Sequence, residues 1–510
     1  MDRKWWTLIA VCVATFMLLL DITVVNVALP DIQKDLNASL SSLQWVVDAY
    51  SLTLAAFLLM AGSFADRLGR RRVFTAGFVI FTFASFLCGI SGNATLLNLA
   101  RGLQGVGGAA MFATSLALIA QEFQGRERGT AIGAWGATIG GAVAIGPLVG
   151  GALTEAFGWE WIFFVNVPIG IGAIFLTVTQ LSNLKAPDPK ALDWPGLATF
   201  SLGLFGLIFG LIRGNSEGWS SPQIVASLGT AAALLVAFVV IEHRRDSAML
   251  DLSLFRKPAF AGVSVVALTL SASMFAMFLY LTLYIQDVLG YGPLAAGVRF
   301  LPLTLLSFFV APVAGKLSAR IPVRLLLGTG LGLVGLALIL MHGVTVGDDW
   351  TTLLPGFIVA GAGVGMVNPG IASTAIGVVS PLRAGMASGI NNTFRQVGIA
   401  TGVASLGAIF QSQVSSKLAE LAPNAPPGFA EAVSSGGAQA AVQGAPPGSR
   451  GQLATAANQA FISGFNEILL VSAVVALVGA VTGFALVRSR DFVTEDNGQP
   501  AAAEPVEVPA

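Results

Sequence analysis

A carboxylate stands about a dozen residues inside the first long apolar run of this chain: Asp21, in the stretch LLLDITVVNVALP at 18–30. A charge there is costly, so an acid so placed is expected to form an ion pair, bind a cation, or take a proton from one side and release it on the other. Ala14, Met17, Val25 and Ala28 share its helical face and offer no partner, so partners must come from other spans, with Arg101 the first to test. Arg101 and Gln104, in RGLQGVGG, are one helical turn apart and face the same way. Arg101 must find an acid, water or the interface, and snorkelling to the outer boundary is the alternative. Asp48 shares a face with Gln44 and Ser51, and is either an interfacial acid in contact with water or a second acid for protons or substrate charge. Arg395, beside Gln396, needs an anionic or carbonyl partner and is read as a charge lining a substrate cavity. Arg299, nearer a boundary, is expected to snorkel. In MFAMFLYLTLYI, Met274, Met277, Phe278, Tyr280 and Tyr284 could line an adaptable apolar cavity or face lipid; Tyr280 and Tyr284 are the expected inward pair.

These residues lie in a chain that is 55% hydrophobic and 11% charged over 510 residues, with a mean hydropathy of +0.78. That leaves too little charge to coat a water-facing surface, and the composition implies a multi-pass membrane protein. A formal net charge of +0 offers no basic face for nucleic acid. Cys12 and Cys88 lie far apart in apolar runs and read as small hydrophobes. With only His243 and His342 available, a histidine metal centre or catalytic triad is not expected, and no enzyme activity is inferred. No cofactor or metal is expected; the proton is the coupling ion.

Apolar runs of about 20 residues recur fourteen times between residues 7 and 487. The first has basic residues before it, as a secretory leader would, but continues to Leu29 without a small-residue cleavage site, and reads as a retained span. With the N-terminus in the cytoplasm, twenty of the 27 Lys and Arg fall on the cytoplasmic side, four opposite and three within spans. This positive-inside bias supports the span count and places both termini in the cytoplasm. The sequence AGSFADRLGRRR after the second run is echoed by AGKLSARIPVR after the tenth, and GVGGAAMF by GVGMVNPG, at similar offsets. Ala319 stands where the first copy has Asp66, and Val359 where it has Arg101. The expected architecture is all-α: an N-terminal six-span bundle (1–185), a two-span hairpin with cytoplasmic linkers (186–257), and a C-terminal six-span bundle (258–490). Within the last, 413–459 reads as a long, partly disordered external loop; 491–510 reads as a disordered acidic tail. Two parallel halves around a midplane site form a transporter architecture.

Gly62, Asp66, Arg67, Gly69, Arg70, Arg71 and Arg72 form a pattern that resembles the loop signature of the major facilitator superfamily. LDITVVNVALP, WVVDAYSL, RGLQGVGGA, GPLVGG, WIFFVNVPIG, YIQDVLGYGPLAAGVRFLP and NNTFRQVG continue the resemblance in order. With fourteen spans, the chain resembles the drug:proton antiporters of the EmrB/QacA type over roughly residues 5–487. That resemblance implies a major facilitator fold and proton-coupled efflux of amphipathic compounds, with antibiotic resistance as the outcome. Its Asp66 cluster is expected to latch helices in one conformation, with Arg70 reaching back to Asp66 and Glu122 joining them. The fifth run carries Gly146, Pro147, Gly150 and Gly151, which resemble the antiporter motif of exporters. Asp21, Asp48, Arg101 and Gln104 are the expected proton-coupling set, and Asp21, Asp48, Tyr280, Tyr284 and Arg395 the expected cavity. Expected partners are membrane lipids and a small amphipathic substrate, with a monomer sufficient, in the cell (plasma or inner) membrane. A lipid translocator of the same fold, or a non-transporting membrane sensor, are the alternatives.

Overall fold

A computed structural model of the chain describes residues 2–38, 40–182, 193–245, 250–318, 320–380 and 383–492. Long apolar helices dominate, because a backbone in hydrocarbon must satisfy its hydrogen bonds within its own segment. The first bundle comprises α1 (Arg3–Asp35), α2 (Leu40–Leu68), α3 (Arg70–Gly89), α4 (Ala94–Glu122), α5 (Gly125–Phe157) and α6 (Trp161–Gln180). The hairpin is α7 (Trp194–Glu217) and α8 (Pro222–Arg244), begun by Asp193 and Ser221 as side-chain N-caps. The second bundle comprises α9 (Pro258–Val288), α10 (Leu301–Leu317), α11 (Val323–Met341), α12 (Leu354–Gly377), α13 (Ala384–Leu421) and α14 (Arg450–Leu486). Among the described residues, twelve helices are long and apolar enough to cross a membrane; α5 and the 17-residue α10 complete the bundles. Large apolar side chains such as Phe83, Phe175 and Val236 point outward, as a lipid-facing surface requires.

The two bundles pair their helices alike. In the first, α4 packs on α2 and α3, α5 on α1, and α3 on α6. In the second, α12 packs on α10 and α11, α13 on α9, and α11 on α14. The sequence echo is therefore a structural duplication. The halves meet along two antiparallel seams, α5 against α10 and α2 against α13, which are equivalents of one another under that duplication. Gly62 sits on Gly385 in one seam, where a Cβ would strike the Gly385 carbonyl oxygen. In the other, Gly129 and Gly133 sit on Gly315 and Pro312. The hairpin lies against α2 and α13: Ser201 Oγ donates to the Ala56 carbonyl (2.9 Å) and Asn215 Nδ2 to the Ala404 carbonyl (3.0 Å).

One expectation needs correction. The 413–459 segment is not a disordered loop: α13 runs on to Leu421, short helices cover Phe429–Ser434 and Ala438–Gly444, and α14 starts at Arg450. Its Ala, Gly and Pro content hid the burial of Phe429 and Val433, which anchor it to the second bundle. In addition, α9 is interrupted by two π-helical turns, Ser271–Phe275 and Tyr284–Val288, which nothing in its apolar pattern signals. The acidic tail beyond 492, the linker lysines Lys185 and Lys190, and Ala319 lie outside the described residues.

Candidate proton-coupling site and interdomain latch

Asp21 points into the first bundle and is 2% exposed. It forms an ion pair with Nη1 of Arg101, itself 1% exposed. Gln104 Nε2 donates to the other carboxylate oxygen at 2.8 Å, and Asn166 Nδ2 reaches that oxygen at 3.4 Å. Arg101 Nη1 also donates to Gln104 Oε1 (2.7 Å), and Nε to the Val46 carbonyl (2.9 Å). The guanidinium lies 4.3 Å from the Tyr50 ring centroid. Ser85 accepts from Gln104 (3.3 Å) and Asn166 (3.2 Å), and donates to the Phe163 carbonyl (2.9 Å). Helices α1, α2, α3, α4 and α6 thus close around one carboxylate whose contacts are all donors.

In this arrangement one buried charge balances another. Protonating Asp21 removes the charge that balances Arg101, and a desolvated cation without a partner is strongly unfavourable. Arg101 must then re-pair or reach water, and it is rooted in α4 and bonded to α2.

The second cluster lies where the ends of α2 and α13 meet. Asp66 accepts from the backbone N–H groups of Gly385 (3.0 Å) and Met386 (2.8 Å), at the N-terminus of α13. There the unsatisfied amides and the helix dipole favour a negative charge. Arg70 Nη2 pairs with Asp66 at 3.3 Å and Nη1 donates to the Ala117 carbonyl at 3.0 Å. Gly69 makes the turn into α3 with φ +104°. Arg67 lies in the field of Asp193, Glu242 and Asp66. One carboxylate in the first bundle therefore holds a helix start in the second.

A family model described as the Major Facilitator Superfamily matches residues 11–403. The chain belongs to this superfamily. This facilitator is 33% identical over 487 residues to the tetracenomycin C resistance and export protein of Streptomyces glaucescens, covering 94% of this chain and 90% of that protein. It is 36% identical over 413 residues to the multidrug resistance protein Stp of Mycobacterium tuberculosis, covering 81% and 77%. The solved proton:xylose symporter XylE shares the fold at a TM-score of 0.63 and 11% identity, over 95% of this chain and 96% of that one.

Other expected site residues of this facilitator are placed differently. Asp48 does not join Asp21: it pairs with Arg213 Nε of α7 at 3.1 Å, and Arg213 also takes Gln44 Oε1 at 2.9 Å. Glu122 does not join Asp66; the Ser182 hydroxyl and the Gln121 amide donate to it instead. Its position at the end of α4 turns it toward the chain leaving α6. Gly146 and Gly150 bring α5 onto Thr23 and Val24 of α1, two and three residues beyond Asp21. Gly151 faces open space, so it is not part of that contact. The side chain of Pro147 lies outside the described residues. Tyr280 packs on Phe410, and Tyr284 stacks on Phe465 at 5.0 Å, inside the second bundle and away from Asp21. Arg395 is buried and donates through Nη1 to Asn368 Oδ1 at 2.9 Å. Arg299 stacks 3.3 Å over the Tyr291 ring, and is partly exposed at a helix end as expected.

Sequence reasoning missed Asn166, Ser85 and Arg213. The first two are neutral and raise no alarm inside a span. Arg213 lies near the end of α7, where an arginine reads as an ordinary boundary charge. Cys88 read as a plain hydrophobe, yet its Sγ lies 3.7 Å from Gln104 Oε1.

Proposed function

We propose that this chain is a proton-coupled antiporter that exports amphipathic or hydrophobic compounds, including antibiotics, by alternating access. The observation that carries the reading is the buried Asp21–Arg101–Gln104 cluster within a major facilitator fold. The names of its relatives, which speak of resistance and export, supply the direction. The chain is read as a fourteen-span monomer in the cell membrane with both termini cytoplasmic, an orientation that rests on its Lys/Arg bias.

In this reading, Asp21 takes a proton when it is open to the outside and gives it up inside. Protonation frees Arg101, α4 shifts against α1 and α2, and the shift reaches the seams between halves. Membrane potential contributes about 2.3 kcal/mol per elementary charge per 100 mV. One proton at ~100 mV then supports roughly a 50-fold gradient of a neutral compound.

The test uses purified protein in acid-loaded lipid vesicles with a pH-sensitive dye. A panel of compounds first scored by efflux from a pump-deficient host is added. Proton release on addition of a transported compound is expected, and its loss in Asp21→Asn with compound binding retained. Undiminished proton release in Asp21→Asn would overturn the role given to that residue.

A further inference from the structure

Ser388, Asn391, Asn392 and Arg395 stand at i, i+3, i+4 and i+7 of α13, so they share one stripe of the helix. All four are buried, Arg395 to 6% exposure. Asn392 Nδ2 reaches the Phe112 carbonyl of α4 at 3.4 Å, so the stripe lies where the second bundle faces the first. Arg395 is eleven residues into α13, about 16 Å along its axis and near the middle of a ~30 Å hydrocarbon core.

This stripe is rich in polar atoms that nothing satisfies. Nε and Nη2 of Arg395, Oγ of Ser388, both amide atoms of Asn391 and Oδ1 of Asn392 are covered by protein and have no hydrogen-bond partner among the described residues. Among the described residues, no carboxylate forms an ion pair with Arg395. Natural proteins leave few buried polar groups unmatched, and a buried cation without an anion is the costliest kind. The free atoms of Arg395 also have a geometry. Asn368 holds Nη1 at 2.9 Å and fixes the guanidinium plane. Nε–H and Nη2–H remain, the side-on fork that donates to two oxygens of a planar anion.

We infer that this stripe is the anion subsite of the exported compound, with the Arg395 fork taking a carboxylate and Asn391 and Ser388 bonding the polar groups beside it. The inference rests on the export reading and narrows its substrate class to amphipathic acids. The fork is covered in the present conformation; separation of α4 from α13, which breaks the Asn392–Phe112 contact, opens it. Proton and substrate charge are then handled in different halves. Asp21 already has its cation, whereas Arg395 waits for its anion.

The experiment measures equilibrium binding to the full chain in lipid nanodiscs, with no proton gradient, using pyrenebutyric acid and its neutral amide. The acid is expected to bind about tenfold to a hundredfold more tightly, as a charge-assisted bidentate pair implies. Arg395→Gln is expected to abolish that preference while amide binding persists. Arg395→Lys, which keeps the charge and loses the fork, retains only part of it. If Arg395→Gln fails to fold, Asn391→Ala reads the same subsite through a severalfold smaller preference. No preference for the acid in the wild-type protein, absence of binding by both probes included, overturns the inference, as does a preference that survives Arg395→Gln. Asp21→Asn is expected to keep the acid preference while losing proton release, so failure of the coupling reading and failure of this subsite are told apart.

Discussion

Asp21 and Arg101 are separated by 79 intervening residues and meet because five helices close around them. Truncating either partner should not have the same effect. Arg101→Ala leaves a buried carboxylate with only neutral donors and is expected to destabilise the protein by about 3–5 kcal/mol. Asp21→Asn with Arg101→Gln removes both charges and is expected to recover most of that loss without restoring coupling. Thermal unfolding in detergent, paired with vesicle proton release, checks both statements. Asp21, Arg101 and Gln104 were legible in the sequence because charged and amide groups in apolar runs have few tolerable explanations. Asp48 was equally conspicuous, yet its partner was not, because Arg213 sits near a helix end where arginine is ordinary. Glu122 was assigned to the wrong network for a related reason: adjacency at a bundle end does not say which way a side chain turns.

Asp66 acts at the scale of elements, since its partners are the backbone amides that begin α13. Asp66→Asn keeps one acceptor oxygen but loses the charge that suits a helix N-terminus. A loss of about 1–2 kcal/mol is expected, which shifts a two-state balance roughly five- to thirtyfold toward the state in which this end is open. Leu59 packs across the seam into the core of the second bundle, so a Leu59→Cys reporter reads that opening as faster maleimide labelling. An unchanged labelling rate would remove the latch assignment. The Arg383 guanidinium, one residue before α13, forms an ion pair with Asp251 in the linker that precedes α9. Partial burial pushes the Asp251 carboxyl up, but hydrogen bonds from the Ser253 hydroxyl and N–H, together with Arg383, outweigh this and hold it below the usual carboxylate range. A carboxyl lowered on folding stabilises above its ordinary pKa of about 4 and loses that contribution as pH falls through the lower folded value. Amide exchange at 250–257, corrected for intrinsic rates, is expected to accelerate only below about pH 4, and Asp251→Asn to remove that step. The long helices were legible from apolar runs and charge bias. The π-helical turns of α9 were not, because nothing in its apolar pattern marks them; the first lies where Gly398 and Gly402 of α13 sit against Leu268 and Ala272.

At the scale of the molecule, the duplication explains why there are two seams and why they are chemically unequal. Each is built on glycine contact near the Asp66 end: Gly62 on Gly385 in one, Gly129 and Gly133 on Gly315 and Pro312 in the other. Among the described residues, only the first carries a carboxylate bound to a helix start across the seam. The sequence already hinted at this asymmetry, since the second copy of the motif lacks the aspartate. The α5–α10 seam is thus held by close packing alone among the contacts described, and it should respond to volume rather than to charge. A Cβ on Gly133 would lie 2.7 Å from the Pro312 Cα, a backbone atom that cannot swing aside. Gly133→Leu is therefore expected to wedge the two halves apart at the Asp66 end without disturbing the core of either bundle. Spin labels at Arg72→Cys and Arg324→Cys, exposed at the equivalent starts of α3 and α11, are expected to show a longer mean distance. Export should fall to background while the Asp21 cluster, which α5 approaches through Gly146 and Gly150 rather than through Gly133, still binds and releases its proton in a one-sided titration. A distance distribution identical to the wild type, with export retained, would mean that this seam does not separate during transport and that the rocking of the halves is confined to α2 and α13.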